Sequence, residues 1–142
     1  MIYKKSDDFY IIGLFDGEEI IDSIQKFLEE ENIKSGFFWA IGGVRNPNIG
    51  VYDPLNFSFK KKVIKGIYEV VSFHGNVTID PDQTKPIIHA HIAIALKDFS
   101  IVGGHLFDSE VAVAFEMVFK PAQNPIVREF DPTYRVLLWD HL

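Results

Sequence analysis

The chain has 142 residues, 47% of them hydrophobic and 24% charged, the balance of one folded domain with a single core and not of a disordered segment. No cysteine is present, which excludes disulfides, thiolate zinc sites and cysteine nucleophiles. A net charge of −6 has the wrong sign for a protein that would draw its affinity from DNA phosphates.

In chain order, the opening MIYKKSDDFY lacks the long apolar core of a signal peptide, and no apolar run is long enough to cross a bilayer, so a cytoplasmic location is expected. Residues 17–32 predict a helix: Asp16 is placed to cap it, Glu19 follows three positions on as in a capping box, and Ile20, Ile21, Ile24, Phe27 and Leu28 recur at helical spacing. Glu29, Glu30 and Glu31 oppose the helix dipole in its last turn, and that end is expected to fray. After residue 33 the pattern is one of strands. Apolar or alternating runs cover 36–44, 49–52, 57–64, 67–79, 87–96, 99–102, 111–119 and 134–139, with turn signals at Asp53-Pro54, Asp80-Pro81-Asp82 and Lys97-Asp98. One main helix near the N-terminus and many strands joined by short turns predict a single α+β domain over residues 1–142, with a mostly antiparallel sheet or barrel. Lys60, Lys61 and Lys62, with Lys65 nearby, read as an edge strand kept from further pairing.

The chemistry concentrates in residues 88–107, IHAHIAIALKDFSIVGGHLF. Residues two apart in a strand share a face, with Cβ atoms roughly 6.5–7 Å apart, so His89 and His91 can close on one ion. Ala93 and Ala95 continue that face with small side chains, while Ile88, Ala90, Ile92, Ile94 and Leu96 form an apolar back that reads as core. A two-residue turn at Lys97-Asp98 returns the chain so that His105 falls opposite Ala90, within one residue of both histidines; a slip of one would turn it to the other face. Gly103-Gly104 lets a backbone or ligand approach closely. Three histidines leave one position free on a tetrahedral ion, the arrangement of catalytic zinc, although a histidine in a strand can equally be a hydrogen-bonded structural residue.

Two glutamates, Glu69 and Glu116, interrupt apolar strands. Buried carboxylates are costly unless paired, so at least one of the two is expected to face a polar cavity, while Glu116 reads as pointing to solvent. His74, five positions from Glu69 and hence on the opposite face by strict alternation, reads as structural or as a proton shuttle. Arg45 is placed for an anionic group or a surface salt bridge, and His141 has no role beyond packing. No Ser-His-Asp order, P-loop or dinucleotide fingerprint is present.

The segments GIYEVVSFHGNV (66–77), HAHIAIALKDFSIVGGHL (89–106) and EVAVAFEMVF (110–119), preceded by AIGGVRNPNIGVYD (40–53) and the helix at 17–33, resemble the PPC domain, conserved in plants and prokaryotes. The resemblance implies an α+β homotrimer whose His89, His91 and His105 bind a metal, usually zinc or else another divalent transition metal. It also implies a fold similar to that of acetolactate decarboxylase, which holds zinc with three histidines. Glu69 is the candidate base by the same resemblance, which GIYEVVSFHGNV (66–77) carries. Two readings stay open on it. One is an enzyme acting on a small carbonyl, ester or carboxylate compound; the other is a non-catalytic regulatory or DNA-associated trimer. Plant relatives bind DNA through an attached AT-hook, and the arginines here, at 45, 128 and 135, form no such segment, so nucleic acid is not the expected partner.

Overall fold

The computed structural model describes residues 1–82 and 84–139; His141 lies outside the described residues. It contains β1 (Ile2–Ser6), β2 (Phe9–Phe15), α1 (Ile20–Glu30), β3 (Gly36–Asp53), β4 (Ser58–Val63), β5 (Ile67–Ile79), β6 (Pro86–Ala95), β7 (Ile101–Pro121), β8 (Arg128–Asp131) and β9 (Val136–Trp139). Seven strands form one sheet in the order β1-β2-β7-β6-β5-β3-β4, all its pairings antiparallel, and β8-β9 is a separate hairpin. An additional pairing of β3 with β7 joins strands from the two sides, so β7, β6, β5 and β3 form a closed circuit of neighbours. A mostly antiparallel sheet with one helix is thus the architecture.

The helix starts three residues later than its sequence pattern, because residues 17–19 are held by the sheet. Gly17 N–H donates to the Val111 carbonyl and Val111 N–H to the Glu18 carbonyl, so helical geometry becomes available only at Ile20. Glu19, not Asp16, is the N-cap: its carboxylate accepts from Asp22 N–H at 2.6 Å and from Ser109 N–H at 3.0 Å. Asp16 instead accepts from Val113 N–H at 3.0 Å and Arg45 at 2.9 Å, which makes Arg45 a salt-bridge residue. At the far end the acidic last turn is tied down, with Glu30 and Glu31 accepting from the hydroxyls of Tyr3 and Tyr10.

The apolar stripe Ile20, Ile24, Phe27 and Leu28 is fully buried against the sheet, where Phe38, Phe73, Phe115 and Phe119 stack into one aromatic core. The back of β6 (Ala90, Ile92, Ile94) faces this core, so its other face is turned outward. β1, β2 and β8 are strands that the sequence pattern did not mark, and the separate runs 36–44 with 49–52, and 99–102 with 111–119, each fuse into one long strand. β4 is the sheet edge, and its Lys60, Lys61 and Lys62 are exposed, as their charge requires. Among the described residues no helix is long and apolar enough to cross a membrane.

Candidate metal centre

His105 pairs directly with His91, not with Ala90. The difference comes from the β6–β7 connection. Leu96 N–H donates to Ser100 and Phe99 N–H to Leu96, so three residues (Lys97, Asp98, Phe99) form the loop where two were expected. Phe99 supplies the extra residue at φ 65°, the left-handed position that closes three-residue hairpins. The longer loop moves the register by one, and a one-residue slip exchanges faces. His105 therefore lies on the outward face with His89 and His91.

The three imidazoles form one cluster, with ring centroids 5.0, 5.2 and 5.7 Å apart. Each offers a nitrogen within 4.8 Å of the other two. Nitrogens sharing one tetrahedral zinc stand about 3.4 Å apart, a convergence that small ring rotations supply. The rings are held from behind and from the side. Gly103 has no room for a side chain because the Ile92 carbonyl sits against it, and Gly104 meets the Gly50 carbonyl in the same way. The close approach that the double glycine permits is thus by backbone. Phe59 and Phe107 pack on the His105 ring at centroid distances of 5.1 and 4.7 Å.

Burial pushes all three imidazoles toward their neutral form. His89 falls to about 4, through desolvation first and then the charges of Arg128, His105 and His91. His91 and His105 are also lowered by desolvation, His91 further by His74 and His105 by His91 and Lys61. At neutral pH the cluster therefore presents lone pairs instead of protons, the state a metal ligand requires.

A cavity of about 450 Å³ opens over the cluster. Gly50, Tyr52 and Phe59 form one wall and the β8–β9 hairpin the other, through Val136, Leu137 and Leu138. Arg128, at the start of β8, is the site residue that sequence reading missed. It is 6% exposed and runs beside His89, with Nη2 3.4 Å from Nδ1. Its partners Thr78 and Asn76 lie fifty residues back in the chain, and no local pattern announces that pairing.

Of the remaining candidates, Glu69 and Glu116 are placed elsewhere and His74 stands beside the cluster. Glu69 is opposite Ala95, four residues along β6 from His91, or about 13 Å. It is exposed and lines a different groove with Glu116, which is also exposed. His74 stands opposite His91, and a bulge between Val70 and Ser72 puts it on the same face as Glu69, where strict alternation would separate them. It is exposed, with Nδ1 3.1 Å from the Ser72 hydroxyl.

The family model for the Plants and Prokaryotes Conserved (PCC) domain matches residues 1–122. Among solved structures, a plant- and prokaryote-conserved protein from Pyrococcus horikoshii is similar at 29% identity and a TM-score of 0.86, covering 99% of this chain and 96% of that one. A metal-containing protein from Archaeoglobus fulgidus is 30% identical with a TM-score of 0.85, covering 99% of both chains. A candidate DNA-binding protein from Bacteroides thetaiotaomicron is 25% identical with a TM-score of 0.92, covering 98% of this chain and 96% of that one. No curated protein matches the chain.

Proposed function

This chain belongs to the Plants and Prokaryotes Conserved domain family, and from that premise we propose that it is a homotrimeric metal protein whose His89, His91 and His105 hold one divalent transition-metal ion, zinc in the first instance. The observation that carries this reading is the convergence of three neutral imidazole nitrogens within 4.8 Å at the floor of a cavity. The donor set fits the ion: nitrogen ligands suit zinc, copper, iron and nickel, and no thiolate or carboxylate stands among the three. When bound, such an ion supplies a Lewis acid with an open position for water or a substrate oxygen.

The chain's own residues would do the rest. The histidines orient the ion, with the packed ring of His105 least free to turn. The apolar hairpin wall keeps bulk water from a small substrate, a carbonyl, ester or carboxylate compound. Glu69, about 13 Å along the sheet from His91, is too far to serve as base to its own chain's ion, so in this reading it would act only on the ion of a neighbouring chain in the trimer.

Trimer formation is supported by a continuous exposed apolar band. Ile2, Ile11, Trp39 and Ile41 line one groove; Ile41, Ile67 and Val113 continue into the next, where Val113 is 83% exposed. Such a band is more than a soluble surface ordinarily leaves uncovered. The DNA-associated alternative has less support here, since the net charge is −6 and the lysine cluster is confined to one edge strand.

The deciding experiment is elemental analysis of protein purified without an affinity tag. About one divalent ion per chain is expected, and its loss in a His89→Ala, His91→Ala double variant that still folds. A chain that stays metal-free after incubation with zinc would remove this reading.

A further inference from the structure

The metal reading leaves Arg128 without a task, and its surroundings give it one. Its Nε donates to Thr78 Oγ1 at 2.6 Å, Nη1 to the Leu137 carbonyl at 2.7 Å and Nη2 to Asn76 Oδ1 at 3.0 Å, with His89 Nδ1 at 3.4 Å from Nη2. Every one of these partners is neutral. The ion pairs among the described residues involve Met1, Lys26, Arg45 and Lys120, and none involves Arg128. A buried guanidinium ordinarily has a carboxylate beside it, because an uncompensated charge out of water is costly. Thr78, Leu137 and Asn76 account for three of its five N–H groups; with His89 holding an ion through Nε2 and its proton on Nδ1, one N–H on Nη1 and one on Nη2 are left for a ligand.

Among the described residues, the cavity that Arg128 lines contains no aspartate or glutamate. Its charged and metal-ligating groups are therefore one permanent cation and three neutral histidines, to which a divalent ion would add two further positive charges. The missing element is an anion. We propose that the cavity binds a small monocarboxylate with an apolar body, its carboxylate held between Arg128 and the histidine cluster. This rests on the metal reading and names the substrate class of the same site.

Two observations select that class, and the volume of about 450 Å³, within the usual range of small-molecule pockets, admits it. Val51, Ile88, Val136 and Leu138 make the walls apolar, so the body of the ligand is apolar as well. The only cation on the lining is a single arginine fork, with no lysine, which matches a carboxylate better than the higher charge of a phosphate. Arg128 lies in the β8–β9 hairpin, beyond residues 1–122 that the family model matches.

The test titrates isobutyrate and its neutral isostere isobutyramide into the zinc-incubated full chain. Binding is read from broadening of the probe's methyl NMR signal, and metal content is measured on the same samples. Isobutyrate is expected to bind at least about tenfold more tightly than the amide, because its charge-assisted hydrogen bond has no counterpart in the amide. Arg128→Gln should abolish that ratio with metal content unchanged. Since Arg128 also ties down Leu137, Arg128→Lys is measured beside it and should give an intermediate ratio. Equal binding of acid and amide by the unaltered chain, which needs no variant, overturns the proposal; so does undiminished isobutyrate binding by a folded Arg128→Gln. The two readings fail separately. A metal-free chain defeats the proposed function, and an Arg128-dependent preference for the acid in that chain would still support the carboxylate site. A metal-loaded chain with an acid-to-amide ratio near one defeats the carboxylate site alone.

Discussion

His89, His91 and His105 share a face but not an environment. His89 is lowered to about 4, by burial first and then by the charge of Arg128 beside it. His105 is wedged between Phe59 and Phe107, while His91 is the exposed member and has His74 across the strand pair. A different residue, Asp16, gives the clearest pH signal for stability. Its carboxylate is held below its ordinary 3.8, first by the Val113 N–H and then by Arg45. A depressed folded value means that the stabilisation is complete above the unfolded value and disappears as pH falls through the folded one. Asp16→Asn should therefore lower the urea midpoint at neutral pH, and the gap from the unaltered chain should close as the pH falls from the ordinary 3.8 through the lowered folded value. A gap that stays constant throughout an acid titration would show that the charge of Asp16 contributes nothing.

At the scale of elements, the site depends on the register that one loop sets. Leu96 and Ser100 close the β6–β7 hairpin around Lys97, Asp98 and Phe99, and Phe99 occupies the left-handed region at φ 65° while 90% exposed. An L-residue there costs about 1–2 kcal/mol, part of which glycine would return through the unfolded chain. Phe99→Gly is accordingly expected to raise stability by about 0.5–1 kcal/mol and leave metal content unchanged. Deleting Phe99 would leave a two-residue turn, Lys97-Asp98, that keeps Leu96 opposite Ser100 and His91 opposite His105, so metal content should be retained there as well. Denaturant titration together with elemental analysis reads both outcomes.

For the molecule as a whole, the apolar band around Ile41 and Val113 is the surface that the proposed trimer would bury. Ile41 is 61% exposed and Val113 83% exposed in the isolated chain. Two carboxylates, Glu69 and Glu116, stand beside them in the same groove. Light scattering at micromolar concentration should give the mass of three chains. An Ile41→Asp, Val113→Asp double variant should give the mass of one, because it buries like charges against each other at the interface. A monomer in the unaltered chain would overturn the trimer and with it the role assigned to Glu69.

The sequence by itself determined the parts of this protein that rest on local periodicity. The helix face from Ile20 to Leu28, the apolar back of β6 and the pairing of His89 with His91 on one outward face all follow from periods of 3.6 and 2. What those periods could not carry was anything set by an extra residue or a distant partner. A three-residue loop, not a two-residue one, decided that His105 joins the cluster, and a bulge near Val71 decided that His74 and Glu69 share a face. The helix start yielded to backbone bonds from β7, which no capping pattern in residues 16–19 registers. Arg128 is the extreme case. Its partners Thr78, Asn76 and His89 are brought to it only when the β8–β9 hairpin folds back over β5 and β6, and burial without a carboxylate is a property of that packing, not of the residues around it in the chain.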